Sequence, residues 1–198
     1  NGWVSDADIL YSVDSGNATV GSPYELWIES GSTYAPAGDV SLYDLEIRGT
    51  LEAGANSVNI GNNFNNYNTG TFTSSGTITF SATDTGNIIT SNGSSFYDLV
   101  FDGSGGEWTL QDVLDVDNNL TISDGTLVTG MNNIILAGDF SNSGILTSSG
   151  TVIFEGAGTS VISGDTTFYN FTCTTVGKQL TFEDGSTQTI TGTLTLTG

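Results

Sequence analysis

The chain has 198 residues, 36% of them hydrophobic, which is enough for one domain with an apolar core. It carries 22 acidic residues, two basic residues and no histidine, for a formal net charge of −20 at pH 7. Two cations cannot displace the counterions of nucleic acid or bind anionic membranes, and no apolar run approaches the ~20 residues of a membrane span. We therefore expect neither nucleic-acid binding nor membrane insertion.

Residues 1–40 differ in composition from the rest of the chain. They contain both prolines and two of the three tryptophans, Trp3 and Trp27. Alternating apolar and polar residues at 24–29 predict a strand. We interpret residues 1–40 as an N-terminal cap or edge segment, because the open end of a repeat array needs an atypical unit to cover its core.

From residue 41 the chain repeats itself. Residues 73–80 (TSSGTITF) return as residues 147–154 (TSSGTVIF), and a Tyr-Asp/Asn-Leu/Phe signature begins at Tyr43, Tyr97 and Tyr169. The offset is about 74 residues here and about 76 from Phe64 to Phe140, a long period that indicates a stacked array. We place one unit at about 41–102, a second at about 119–175 and the start of a third at Gly192.

The repeated pieces predict strands and no helices. Runs of three to six residues with period-2 alternation are separated by Asn-Gly and Asp-Gly pairs, and Thr, Ser, Asn and Gly disfavour helix interiors. The predicted fold is all-β: a right-handed parallel β-helix, or β-solenoid, over residues 41–198, with turns of roughly 20 residues. An antiparallel β-sandwich with hairpin turns is the alternative.

Alternate positions of the repeated strands should point inward, and repeat-equivalent residues should stack in columns. The predicted core consists of Leu45, Ile47, Leu51, Val58, Ile60, Ile78, Phe80, Leu99, Phe101, Leu120, Ile122, Leu127, Val152, Phe154, Phe171 and Leu194. The single cysteine, Cys173, alternates with polar threonines and is predicted to be a small buried residue without a disulfide.

Three stretches carry a resemblance to a known family: residues 115–127, residues 149–171 and residues 187–198. They resemble the β-solenoid repeats of filamentous-haemagglutinin-like proteins and related large bacterial adhesins, and the resemblance covers residues 33–198. It implies a secreted or cell-surface protein that forms a stalk or an adhesive fibre, and it brings no catalytic residues. The composition, with few charges and much Thr, Asn and Gly, favours the same location.

One motif is half of a calcium loop. Asp115, Asp117 and Asn119 alternate along the chain, which would place their oxygens on one face of a strand, where they could share a hard cation. We therefore name these three residues as a candidate metal site, with calcium as the ion. The alternative is a solvated acidic face, and no other cofactor is expected.

A second class of function remains open. Parallel β-helices also bind or degrade polysaccharides, and Trp108 is the candidate sugar-stacking residue for such a carbohydrate-binding module or remnant polysaccharide-degrading enzyme. The chain has no histidine and two cations to tune an acid–base pair, so we expect no catalysis. Surface glycans are candidate partners in either class.

The last residues remain strand-like. Thr193, Leu194, Thr195, Leu196 and Thr197 alternate without a following proline or charge cluster, so their edge should offer unpaired backbone groups. The chain also starts at Asn1 without a signal peptide, which suggests a processed protein or a piece of a longer one. We expect residues 193–197 to pair with another copy head to tail, or with the rest of a longer chain.

Overall fold

The computed structural model describes the strands Val4–Asp6 and Ile9–Tyr11 and then residues 25–197. These residues form an all-β protein, and none of them lies in a helix. The fold class predicted from the sequence is confirmed. Part of the expected N-terminal cap, including Trp3, lies outside the described residues.

Most of the strands are short, whereas two of them have 13 and 11 residues. In chain order they are β1 Val4–Asp6, β2 Ile9–Tyr11, β3 Glu25–Ile28, β4 Thr33–Tyr34, β5 Val40–Leu42, β6 Asp44–Ile47, β7 Thr50–Gly54, β8 Val58–Ile60, β9 Phe64–Asn66, β10 Thr71–Ser74, β11 Thr77–Phe80, β12 Asn87–Thr90, β13 Ser95–Phe96, β14 Asp98–Leu110, β15 Leu114–Val116, β16 Leu120–Gly130, β17 Ile134–Leu136, β18 Phe140–Asn142, β19 Ile145–Ser148, β20 Thr151–Phe154, β21 Thr159–Ser163, β22 Thr166–Phe168, β23 Asn170–Cys173, β24 Gln179–Phe182, β25 Gln188–Ile190 and β26 Leu194–Leu196.

Every turn of the chain contributes one strand to each of three faces. Face 1 contains β3, β6, β9, β12, the second halves of β14 and β16, β19, β22 and β25. Face 2 contains β4, β7, β10, β13, β15, β17, β20, β23 and β26. Face 3 contains β5, β8, β11, the first halves of β14 and β16, β18, β21 and β24. The strands within each face are parallel.

The register fixes the length of a turn. Ile78 pairs with Leu99, Leu99 with Leu120 and Leu120 with Phe140, so one turn takes about 20 residues, as predicted. About 9 turns stack as a parallel β-solenoid. The antiparallel sandwich is excluded, because β1 and β2 form the one antiparallel pair among the described strands. At ~4.8 Å per turn the stack is about 40 Å long.

The solenoid begins earlier than the sequence indicated. Strand β3 pairs in parallel with β6, and β4 pairs with β7, so residues 25–40 already form a turn of the stack. The expected boundary between cap and solenoid at residue 40 is therefore wrong. The composition changes near residue 40, but backbone pairing does not depend on that change.

The core is a column of apolar side chains enclosed by the three faces. All of the predicted core residues are buried except Leu194, which is 53% exposed in the last described strand. Phenylalanine rings pack against one another inside this column, and Phe96 lies 5.2 Å from Phe64 and 5.4 Å from Phe72 between ring centroids. Cys173 is buried and free, as predicted.

The sequence repeat does not coincide with whole turns. Phe80 lies on face 3 and its repeat counterpart Phe154 on face 2, while Phe64 lies on face 1 and its counterpart Phe140 on face 3. The expectation that repeat-equivalent residues stack in columns is therefore wrong. A repeat of about 74 residues at about 20 residues per turn advances by about three and two-thirds turns, so each copy moves to another face.

The Tyr-Asx signature marks corners on all three faces. Tyr43 precedes β6 on face 1, Tyr97 precedes β14 on face 3 and Tyr169 precedes β23 on face 2. The local conformation recurs, because the following Asp or Asn turns its side chain toward the next turn of the stack. The signature therefore encodes a corner rather than a fixed position around the axis.

Asp and Asn side chains at the corners, including Asp98 and Asn170 of the signature, link successive turns. Asp98 Oδ1 accepts the backbone N–H of Asn119 at 3.1 Å, Asn119 Oδ1 accepts that of Asp139 at 2.9 Å, and Asp139 Oδ1 accepts that of Val161 at 2.7 Å. At another corner, Asn170 Oδ1 accepts the backbone N–H of Thr193 at 2.8 Å. Much of the Asp and Asn content thus satisfies backbone donors at corners, where strand pairing leaves them without partners.

Candidate functional site

Trp108 is part of the core. The residue is 0% exposed, and its ring centroid lies 5.2 Å from that of Phe101. The glycines of residues 103–106 and Gly125 form the corner around it, and a Cβ on Gly125 would come within 2.8 Å of the indole. Trp108 therefore cannot stack on a sugar, and the prediction of a carbohydrate platform at this residue is wrong. Gly106 and Gly125 make room for the ring, since a Cβ on either would come within 2.8 Å of it.

The candidate metal residues lie on two elements. Asp115 points outward from β15, which ends at Val116, whereas Asp117 and Asn119 lie at the corner that follows. The three residues do not share one face of a strand, contrary to the prediction. Asp117 Oδ2 accepts the hydroxyl of Ser95 at 2.7 Å, and Asn119 Oδ1 accepts a backbone N–H in the corner ladder.

The carboxylates on this surface are close enough to repel one another. Burial raises the pKa of Asp115, and the charges of Asp117 and Glu155 raise it further. Within residues that the structure describes, no group of at least three Asp, Glu, His or Cys side chains is arranged to hold a metal ion. A pair of carboxylates with one amide lies below that size, so calcium binding at Asp115, Asp117 and Asn119 stays a prediction.

The C-terminal face of the solenoid, formed by β24, β25 and β26, exposes the end of the core. Leu194 and Leu196 are 53% and 55% exposed, and Phe182 is 49% exposed. Strand β26 pairs with β23 on one side, and no described strand pairs with its other side. The predicted edge at residues 193–197 thus presents apolar side chains together with a row of backbone groups.

Two depressions open on this C-terminal face, with volumes of about 310 and 350 Å³. Phe182 and Leu196 line both of them, and Cys173 and Lys178 line the smaller one. Lys178 Nζ donates to the carbonyl of Ala137. Burial lowers the pKa of Lys178, while Cys173 and Asp139 act in the opposite direction. The larger depression is lined mainly by apolar side chains.

A second surface was not predicted from the sequence. Arg48 lies between two aromatic rings that belong to the turns before and after its own, with its Cζ 5.1 Å from the ring centroid of Trp27 and 5.0 Å from that of Tyr67. Its Nη2 lies 2.6 Å from Glu46 Oε1. Burial raises the pKa of Glu46, whereas Arg48 and Tyr67 lower it. The spacing of these residues by about one turn, 20 residues, was the signal that could have identified the cluster.

Comparison with known proteins gives no match: no family model, curated protein or solved structure is significantly similar to this chain. Among the described residues, no helix has the length and apolar character needed to cross a membrane. The fold and the surfaces above are therefore the basis for a functional proposal.

Proposed function

We propose that the chain is a non-enzymatic structural segment of an extracellular or cell-surface protein, serving as a stiff stalk or as part of an adhesive fibre. The observation that supports this most is the continuous apolar core, which runs through about 9 turns and in which the buried side chains of Asn66 and Asn142 bond to the next turn. Stacked turns linked by strand pairing on three faces and by corner ladders resist bending, as a spacer must. The resemblance of residues 115–127 to adhesin repeats agrees with this role.

The polar chemistry of the chain supports the same proposal. Asp98, Asn119 and Asp139 accept backbone N–H groups of the next turn, so these side chains hold the stack together. The alternative class, a carbohydrate module or remnant enzyme built around Trp108, loses its central residue because that ring is buried. A stalk needs the geometry of the stack and no reacting group.

We propose further that the C-terminal face is where the stack continues, through another copy of this chain or through further sequence of a longer protein. Exposed Leu194 and Leu196 and the open edge of β26 together match what a further parallel turn would cover. Two copies carry a charge of −20 each, so association between copies should strengthen as salt screens their repulsion.

Two measurements test the structural role. Small-angle X-ray scattering of the chain should give an elongated particle consistent with a stack of about 40 Å. Incubation with a panel of neutral and acidic polysaccharides should release no reducing ends. Turnover of any of these polysaccharides would contradict the non-enzymatic proposal.

Light scattering tests the assembly proposal. The association of the wild-type chain should increase with protein and salt concentration, and Leu196→Asp should abolish it by placing a charge on the apolar face. Thr181→Asp, at an exposed position of β24 whose neighbours Leu180 and Phe182 face the core end, is the matched control. A wild-type chain that stays monomeric at high salt and high concentration would remove the argument for copies stacking on each other.

A further inference from the structure

The Trp27–Arg48–Tyr67 cluster holds an aromatic ring at the solenoid surface. Trp27, Arg48 and Tyr67 belong to three successive turns at the edge of face 1, and the guanidinium lies between the two rings. Glu46 contacts Arg48 and also lies 3.4 Å from the Tyr67 hydroxyl. Cation–π contacts of this kind fix the orientation of a ring without covering both of its faces.

Tyr67 borders a polar depression of about 360 Å³ that spans three turns, with Arg48 lining it from the turn before Tyr67. Asn68 and Thr69 line it from the same turn as Tyr67, and Thr90 and Asn92 line it from the next turn. Asn92 Nδ2 donates to the Tyr67 carbonyl at 3.1 Å, and Thr69 Oγ1 donates to the Arg48 carbonyl at 3.1 Å. These bonds connect the three turns that line the depression, so the depression is formed before any ligand arrives.

The lining has the chemistry that recognises sugars. It combines one ring, 42% exposed as a residue, with the side chains of Asn68 and Asn92, two threonine hydroxyls and a guanidinium. Asn66 is 1% exposed and bonds to Ser91 and Ser94, and no carboxylate is among the described residues that line the depression. Aromatic rings stack on the C–H faces of sugars, while amides and hydroxyls match their ring hydroxyls. Of the 24 charged residues in the whole chain (22 acidic and two basic), the lining contains one, the basic Arg48.

The charge distribution selects a neutral ligand. The field of a chain with net charge −20 opposes the approach of an anion, and Glu46 already neutralises Arg48. A neutral polyhydroxyl ligand is not repelled, and it can use both the ring and the amides. Arg48 then serves as the support of the ring and as an additional hydrogen-bond donor.

We propose that the depression beside Tyr67 is a binding site for neutral glycans, with Tyr67 as the stacking residue and Asn68, Thr90 and Asn92 as hydrogen-bonding residues. This inference rests on the adhesive part of the proposed function, because it gives the stalk a lateral contact surface. Its test is separate, since neither the length of the stack nor its association through β26 depends on Tyr67.

The chain offers two matched controls. Tyr97 and Tyr169 are also corner tyrosines, and they are 39% and 44% exposed, close to the 42% of Tyr67. Arg48 stacks on Tyr67 and on neither of these residues. A sugar that binds any exposed tyrosine would lose affinity in all three variants, whereas a site built as described depends on Tyr67 alone.

Isothermal titration calorimetry with neutral oligosaccharides (cellohexaose, maltohexaose and a galactan oligomer) and an anionic oligogalacturonate tests the proposal. At least one neutral probe should bind, Tyr67→Ala should weaken it at least about tenfold, and Tyr97→Ala and Tyr169→Ala should leave it within about twofold. Tyr67→Phe should retain binding, which separates loss of the ring from misfolding. Binding of the anionic probe only, binding that survives Tyr67→Ala, or no binding by any probe would overturn the proposal.

Discussion

The middle turns of the solenoid and its last described turn place the same kind of residue in opposite environments. Leu120 lies between Leu99 and Phe140 in register and is fully buried, whereas Leu194 pairs with Phe171 on one side and is 53% exposed. No described strand covers the core beyond β24, β25 and β26, whereas each inner turn is buried by the turns above and below it. Position along the axis, rather than residue type, therefore decides how much an apolar side chain contributes to the stability of the fold.

Truncating a core side chain should give the largest difference in the free energy of unfolding between the middle turns and the exposed end. Phe96→Ala removes a ring in contact with Phe64 and Phe72 and should lower the free energy of unfolding by about 3–5 kcal/mol, because the middle turns cannot collapse around the cavity. Phe182→Ala, at the exposed end, should cost less than about 1.5 kcal/mol. Urea denaturation measures both values, and equal losses would contradict the comparison.

The corner beside Trp108 gives a second large effect. Gly125 and Gly105 both have φ of +80°, but a Cβ on Gly125 would lie 2.6 Å from the Gly103 carbonyl oxygen, whereas at Gly105 the nearest atom is 3.4 Å away. Gly105→Ala should therefore show the cost of the backbone conformation, about 1 kcal/mol. Gly125→Ala should lose at least about 2 kcal/mol more in the same denaturation experiment. Similar losses in the two variants would show that the corner is not closely packed.

The corner ladder should contribute less than the core. Asp98→Ala leaves the backbone N–H of Asn119 and the side chain of Asn118 without their acceptor and should lower the free energy of unfolding by about 1–3 kcal/mol. Asp102→Ala removes an exposed carboxylate from the same strand and is the charge-matched control. If the two variants were equally stable in urea, the ladder would have no role in linking the turns.

Removing an acidic side chain from the outside of face 2 should increase the stability of the fold, in contrast to the substitutions above. The pKa of Asp115 is raised in the fold, first by burial and then by Asp117 and Glu155. As the pH rises, the unfolded chain loses this proton before the folded chain does, so stability falls across that window and stays lower at neutral pH. Asp115→Asn should therefore raise the Tm by about 1–2 °C near pH 7 and leave it unchanged near pH 3. A lower Tm at neutral pH would contradict this sign.

Calcium binding is expected to have the smallest effect on the protein. If Asp115, Asp117 and Asn119 bind the ion, calorimetry should detect binding at millimolar concentration or tighter, and Asp117→Ala should weaken it. Asp184→Ala, at an exposed acid far along the chain, controls for general attraction of cations to a negative protein. Thermal stability that is indifferent to both calcium and chelator would exclude the site.

The parallel solenoid and its core could be predicted from the sequence because period-2 alternation and a long repeat are visible without knowing which strands pair. Leu45, Ile78 and Phe154 are inward wherever their strands lie, so alternation alone was enough to identify them. Alternation could not place them on a face. Their faces depend on how many strands separate the repeats, and β14 and β16 each cross a corner and supply two faces.

The predictions of a cap boundary at residue 40 and of a carbohydrate platform at Trp108 were wrong for a related reason. Whether residues 25–40 join the stack depends on pairing with β6 and β7, and whether Trp108 is exposed depends in part on Gly125, which belongs to the next turn. The Arg48 cluster likewise joins residues about one turn apart. Such contacts are visible in a sequence only after the length and register of the turn are known.

Residue-resolved amide hydrogen exchange tests most directly the claim that each turn is stabilised by its neighbours and that the C-terminal face is the open end. In dilute protein, amides of β15, β16 and β17 should exchange only through global unfolding, while those of β26 should exchange through local opening. Protection of β26 should then increase with protein and salt concentration as copies associate. Amides of β26 that are as protected as those of β16 in dilute solution would contradict the account.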